Sequence, residues 1–531
     1  MPHASSPESP ALADATLRGW VGKWAEQSAG SSALCSGAET INFAGLHERA
    51  MALAGFFGGL GLKRGDVIAA QLPNGVEFVL TLLAASYIGA VLQTIHMPYR
   101  AAEIEPLLAH SKAKAVVCLG RLKDFSPAEF IVSLRPRMPG LQHVIAVGEG
   151  HGSSAHPFPD GHVSPDAPAF KRPVAADLFL LLYTSGTTAA PKGVPIAYRK
   201  FLPNAALSAR ELNIDDTSVL LSAAPFTHLY GLFSLNLAFS AGATTALLPA
   251  YSPALLADAL DRHRPTGLFV APAHMTACLN EGLLTRERLA SLRFVLISGS
   301  YCPPELAQSV QDLMPNGDVL QLWGMSELQA GSFTRPGDDP RARFTTTGRA
   351  SPNTELRVTL DNQSVSSNTE GELEVRGRSL FDGYLDNPDD TSRAFTEDGW
   401  FRTGDLALID EAGNVQLTGR LKDVINRGGV KFNPADAEAL IARHPDVASC
   451  AIVPAPDAVL GERACCFVVL KDRANSLRLE DLCDWLRTHN VGKLKWPERL
   501  EVIDEMPMTP TRKVMKGELA RRLSQPNGPL V

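Results

Sequence analysis

What the chain lacks narrows it first. Its 531 residues carry a formal net charge of -7, so there is no basic surplus of the kind a general nucleic-acid binder needs. The eight cysteines have no zinc-like spacing. Cys465 and Cys466 are adjacent inside the apolar run ACCFVVL, where buried reduced thiols are the rule, and a reducing cytoplasmic setting is expected. The opening stretch MPHASSPESPALADA has neither a basic region nor an apolar core, so no signal peptide is expected. No run reaches the roughly 18–20 apolar residues of a spanning helix. The most apolar one, residues 78–92, is closed by Glu77 and Gln93 and reads as a buried helix rather than a membrane span. No internal repeat is visible.

What remains is an ordinary globular composition, 45% apolar and 20% charged, on a chain longer than one hydrophobic core usually serves. Two or more domains are expected. Residues 178–194, LFLLLYTSGTTAAPKGV, organise the rest. The apolar run 178–182, closed by Tyr183, has the length of a strand buried on both faces. Thr184, Ser185, Gly186, Thr187 and Thr188 then offer four hydroxyls and a glycine, and Pro191, Lys192 and Gly193 add a fixed turn and a cation. Hydroxyls, backbone N–H groups and a lysine suit a polyphosphate, whose oxygens accept hydrogen bonds and carry charge. The loop is not a Walker A motif, because Pro191 and Gly193 stand where that pattern needs glycine and Ser/Thr. A solvated Ser/Thr turn is the bland alternative.

Along the chain, residues 17–24 read as helical, and Leu46, Met51, Leu53, Ala54 and Phe57 recur at helical spacing until Gly61. GDVIAAQLPN (65–74) reads as strand plus turn. Ala115–Leu119 and His143–Val147 read as further strands separated by a helix at 101–110, and 148–173 as a surface loop. Strand–helix alternation implies a parallel sheet. Segments 268–272, 294–299 and 319–323 repeat the design of an apolar strand ending in a polar turn. Those turns carry His274, then Ser300 and Tyr301, then Met325, Ser326 and Glu327. Loops at the carboxyl ends of parallel strands converge on one crevice. A small unit follows Gly419, with strands at 449–453 and 464–470 and a helix placing Leu479, Leu482, Cys483 and Leu486 on one face. The expected division is 1–420 and 421–531.

The motifs, taken in order, resemble the adenylate-forming superfamily of acyl-CoA synthetases, luciferases and adenylation domains over nearly the whole chain. Y-T-S-G-T-T-A-A-P-K-G resembles its phosphate loop, with Ala189 where the last loop glycine is expected. Pro225-Phe226-Thr227-His228-Leu229-Tyr230-Gly231 resembles the segment whose histidine gates the acid pocket. Ser298-Gly299-Ser300-Tyr301-Cys302-Pro303 resembles the adenine strand, with Tyr301 in place of a small residue. Trp323-Gly324-Met325-Ser326-Glu327 resembles the motif that would flank adenine and hold magnesium on Glu327. A lone carboxylate suits Mg²⁺, which keeps most of its waters. Thr347-Gly348-Arg349 and Gly371-Glu372-Leu373 continue the order. Thr403-Gly404-Asp405 resembles the ribose-binding motif, and Gly419-Arg420-Leu421-Lys422-Asp423 the hinge, with Arg420 on ribose or phosphate and Lys422 as pivot. Gly428 and Gly429 resemble the turn that lets pantetheine pass, although an ordinary β-turn explains them equally. Pro507-Met508-Thr509-Pro510-Thr511-Arg512-Lys513-Val514 resembles the C-terminal motif, with Lys513 as the catalytic lysine and Arg512 replacing its glycine.

The resemblance implies an α/β fold: a large N-terminal domain of mostly parallel, helix-covered sheets and a small mobile α+β C-terminal domain. It implies a ligase using ATP, Mg²⁺ and coenzyme A. A carboxylic acid would become acyl-AMP with release of pyrophosphate, and the acyl group would pass to the CoA thiol. Loading of an acyl carrier protein is the alternative. An amino-acid substrate is disfavoured, since PFTH replaces the F-D-x-S anchor that would meet an ammonium. The pocket segments 228–236, 271–276 and 328–331 contain no Arg or Lys, which favours an apolar monoacid over a diacid. Tyr301 is open to two readings: it stacks on the purine, or it also trims the acyl pocket.

Overall fold

The computed structural model describes residues 12, 14–150, 152–159, 170–184, 191–457, 459–509 and 513–524. Ser185, Gly186, Thr187, Thr188, Ala189 and Arg512 lie outside the described residues. The chain divides into two units, one of Met1–Thr184, Pro191–Glu355 and Arg376–Arg393, the other mainly of Leu356–Val375 and Ala394–Val531. None of the described helices is long and apolar enough to cross a membrane.

The first unit carries two sheets. In the seven-stranded one, His156–Pro157, His143–Val147, Ala115–Leu119, Val67–Gln71, Val91–Thr94 and Leu178–Tyr183 run parallel, and Gly193–Ala197 closes the edge antiparallel. The nine-stranded sheet has a parallel centre of Asp318–Met325, Phe294–Ile297, Gly267–Val270, Val219–Ser222, Thr244–Ala246 and Ser32–Ser36, with antiparallel strands outside. Its core is built by Leu220, Phe269, Leu296 and Leu320 from adjacent strands, packed with Tyr230, Phe233 and Leu237 of the helix Leu229–Ala241. That helix is buried all round, as its uniformly apolar sequence requires.

Several expectations need correction. The run 78–92 is not one helix. It splits into the helix Val76–Ile88 and the strand Val91–Thr94, with Gly89 between them at φ 73°. Only glycine takes that left-handed value without a Cβ penalty. Gln93, read as closing the run, is fully buried in the strand. The helix Ala101–Ser111 precedes both strands it was expected to separate, and Pro127–Leu134 is the helix between them. His274 sits in the first turn of the helix Pro272–Asn280, not in a turn after a strand. Residues 156–157, expected in a loop, extend the sheet. Leu178 is 43% exposed, so the phosphate-loop strand is buried only from Phe179 to Leu182.

The second unit holds two more sheets. Gln363–Ser364, Thr354–Leu360, Gly371–Gly377, Phe401–Ile409 and Val415–Arg420 form a five-stranded sheet that lies wholly within the 1–420 segment. The other sheet orders Val430–Phe432, Ile425–Arg427, Gly461–Leu470 and Val447–Asp457, with Arg499–Val502 joined parallel to Gly461–Leu470. Ile441, Ile452, Cys466, Leu482 and Leu486 make the core between this sheet and its helices. The turn Leu421–Asp423 links the two sheets.

Candidate active site

In the first unit, strand ends from both sheets meet at a narrow cleft lined by His96, Tyr99, Tyr183, Thr227, His228 and Ser326. Tyr183 ends the strand that feeds the phosphate loop. His228 caps the helix Leu229–Ala241, its Nδ1 accepting the Tyr230 N–H at 3.3 Å. Gly231 is required here for space, since a Cβ would lie 2.3 Å from the Pro225 carbonyl oxygen. The chain thus folds sharply from Pro225 into the helix and delivers His228 at its start.

His96 went unnoticed in the sequence. Its ring lies 6.2 Å from that of His228, and its Nδ1 is 3.0 Å from Thr227 Oγ1. Gln71 Nε2 donates to the carbonyls of His96 and Tyr99, each at 3.1 Å, and fixes that loop. Burial lowers the His96 imidazole to about 4, so it is neutral at pH 7. Two imidazole rings and the hydroxyls of Tyr99, Tyr183, Thr227 and Ser326 line the cleft.

The neck of the phosphate loop is a hairpin. Leu178–Tyr183 pairs antiparallel with Gly193–Ala197, and the Thr184 N–H donates to the Lys192 carbonyl at 3.1 Å. The Lys192 ammonium is 3.0 Å from Asp390 and 4.9 Å from the centre of the Tyr384 ring. Glu327 is 5% exposed and its Oε1 accepts the Tyr384 hydroxyl at 2.9 Å. Its backbone carbonyl accepts the Phe381 N–H at 2.8 Å. Tyr384 and Asp390 carry no motif that the sequence reading used. Their only signal was the G-Y-L-D-N-P-D-D string at 383–390, far along the chain from what they touch.

Trp323 is buried, its indole packed against Gly331, where a Cβ would lie 2.3 Å from the ring. Gly324 and Met325 continue the same strand, and Ser326 and Glu327 turn the chain into Gln329–Phe333. Gly299, at φ 97°, and the exposed Ser300 follow the strand Phe294–Ile297. The Tyr301 side chain is 59% exposed at that strand end.

The second unit holds the remaining candidates. Asp405 is buried and pairs with Arg420 across the sheet. Thr403 Oγ1 donates to the Leu373 carbonyl at 2.6 Å and accepts the Asp405 N–H at 3.1 Å. The Gly404 N–H donates to Glu372 Oε1 at 3.2 Å, and burial raises the Glu372 carboxyl above its ordinary range. Lys422 is exposed on the linking turn. Gly428 and Gly429 form a two-residue hairpin turn at φ 59° and 90°, the left-handed pair such a turn requires. Lys513 closes a small loop: its N–H donates to Thr509 Oγ1 at 3.0 Å and its carbonyl accepts the Thr509 N–H at 2.7 Å.

Fold and motif order together define a class of nucleotide-using ligases. The chain belongs to the AMP-binding enzyme family: the family profile matches residues 21–385, and the profile of its C-terminal domain matches 436–513. It is an adenylate-forming enzyme, an AMP-forming acid–thiol ligase that uses ATP for acyl-adenylation. The medium-chain fatty-acid–CoA ligase of Escherichia coli K12 is 31% identical over 92% of this chain and 87% of its own. The salicyl-AMP ligase / salicyl-S-ArCP synthetase of Mycobacterium tuberculosis H37Rv is 32% identical over 98% and 91%. The ATP-bound MatB structure from Rhodopseudomonas palustris superimposes with a TM-score of 0.83 at 25% identity, covering 96% of this chain and 99% of that one.

Proposed function

We propose that the chain is an ATP-dependent carboxylate–CoA ligase acting in the cytoplasm on an apolar monocarboxylic acid, aliphatic or aromatic. The observation that carries this reading is the cleft in which Tyr183, His228 and Ser326 meet, with Glu327 beside it. The phosphate-loop strand, the acid-gating histidine and the carboxylate motif share one place, as joining an acid to a nucleotide demands.

Joining a carboxylate to ATP brings two anions together at the α-phosphate, so the work is charge neutralisation and positioning. The hydroxyls of 184–188 and Lys192 would cradle the triphosphate, and Gly299, Ser300, Tyr301, Trp323, Gly324 and Met325 would frame the adenine. Asp405 would accept the ribose hydroxyls with Arg420 beside it, and Lys513 would neutralise charge at the reacting phosphate. Lys422 would act as pivot between half-reactions, and Gly428 and Gly429 would flank the pantetheine arm.

The residues present fit magnesium. No group of three or more His, Cys, Asp or Glu among the described residues could cage a metal, and one buried carboxylate with a neighbouring serine suits an ion held mainly by water and phosphates. Glu327 would hold it. When bound, Mg²⁺ supplies charge stabilisation at the phosphoryl oxygens.

Pyrophosphate exchange over a panel of carboxylic acids tests adenylation, and its absence with every acid would defeat the reading. Within the acid segments, the amides of Asn236 and Gln329 are buried without hydrogen-bond partners. Hydroxy- and amino-substituted acids therefore belong in the panel. The salicyl-S-ArCP synthetase likeness keeps carrier-protein loading as a second reading. Acceptor assays with CoA and with carrier protein separate the two.

A further inference from the structure

Within the first unit, one aromatic ring touches both charged groups nominated for the triphosphate. Tyr384 donates its hydroxyl to Glu327 Oε1 at 2.9 Å, and the Lys192 ammonium lies 4.9 Å from the centre of its ring. The ring is itself held. Phe381 meets it edge-on at 4.9 Å, the Tyr384 N–H donates to Thr391 Oγ1 at 2.9 Å, and Thr391 Oγ1 donates to the Asn387 carbonyl at 2.8 Å. The same short segment supplies Asp390, whose carboxylate is 3.0 Å from the Lys192 Nζ and is fixed in turn by Asn387 Nδ2 at 2.9 Å.

A phenol is suited to this post. It has few rotatable bonds, a face that attracts a cation, and a hydroxyl that binds a carboxylate more strongly than a neutral acceptor. Asp390 anchors the Lys192 ammonium from one side, and the ring adds a second contact that ties the same cation to Glu327.

We propose that Tyr384 is a positioning residue that holds Glu327 in the orientation needed for a metal–nucleotide complex and sets Lys192 at a fixed place beside it. The inference rests on the proposed ligase function, and it adds a residue that acts through Glu327 and Lys192 rather than touching the reacting atoms.

Tyr384→Phe is the discriminating variant, because it keeps the ring under Lys192 and the packing against Phe381 while removing only the hydroxyl. Binding of MnATP to the full-length protein, measured by calorimetry and by the manganese spin-resonance signal, gives a readout independent of turnover. The expected result is a loss of about tenfold or more in MnATP affinity, with affinity for metal-free ATP and the melting temperature unchanged. In pyrophosphate exchange, the Mg²⁺ concentration for half-maximal rate rises by a similar factor, and excess Mg²⁺ restores most of the rate. Tyr384→Leu removes the ring as well and should weaken metal-free ATP binding as Lys192→Ala does. If wild type binds MnATP and Tyr384→Phe binds it equally well, the positioning role is overturned while the ligase reading stands. If wild type binds no MnATP, the ligase reading falls and this inference falls with it.

Discussion

The guanidinium Nε of Arg420 lies 2.9 Å from Asp405 Oδ1, and the two residues are directly opposite partners on adjacent strands. The carboxylate is nearly buried while the guanidinium is half-exposed, so the pair presents one fixed acceptor and one solvent-facing cation. If Asp405 accepts the ribose hydroxyls, Asp405→Asn should raise the KM for ATP by about tenfold, the worth of a hydrogen bond to a charged group. The KM for the acid should stay where it was. Initial rates with each substrate varied in turn check this, and an unmoved ATP constant would remove Asp405 from the nucleotide site.

If Lys513 neutralises charge at the reacting phosphate, Lys513→Ala should slow acyl-adenylate formation by several orders of magnitude. Thioester formation from pre-made acyl-adenylate should survive largely intact. The comparison of the two half-reactions is decisive. Equal losses in both would make Lys513 a structural residue of its loop.

Tyr301 separates two geometries. Should the ring intrude on the acid, Tyr301→Ala opens space and shifts preference toward longer or bulkier acids by about 1–3 kcal/mol per one or two methylenes. If it only stacks on adenine, the same change raises the KM for ATP and leaves the acid ranking alone. The exposed phenol makes large stability effects unexpected. A graded chain-length series with both constants measured distinguishes the outcomes.

His96 gives a pH prediction. Its imidazole falls from 6.5 to about 4 on burial, so the unfolded chain takes up the proton first as pH drops. Stability from this group is complete above 6.5 and declines as pH falls toward 4, by about 3 kcal/mol at most. Denaturant titrations at pH 7 and pH 5 should show a smaller pH-dependent loss in His96→Gln than in wild type. Equal losses in the two proteins would count against it.

Residues 115–119 and 143–147 were legible as strands to the residue because each is a short β-branched run bounded by polar turns. The run 78–92 misled because an unbroken apolar stretch has no period, and the element boundary rests on Gly89 alone. The sheet of 354–420 was missed for the opposite reason. Strands such as GELEVRG mix charge with apolar residues and bury acids by pairing, as Glu374 does with Arg357 at 2.7 Å. Motif order singled out Glu327, His228 and Asp405 as candidates, whereas His96 and Tyr384 drew notice only where distant segments met.

The hairpin neck beneath the phosphate loop has a consequence for variation. Thr184 and Lys192 clasp each other across the base, and the flanking strands keep their register through four further residue pairs before it shifts between Leu180 and Leu178. Whatever is strung between them is a cassette whose ends stay pinned. Substitutions between the two clasped residues are therefore expected to leave the pairing of the flanking strands intact, so that the composition of the segment can vary on an unchanged frame.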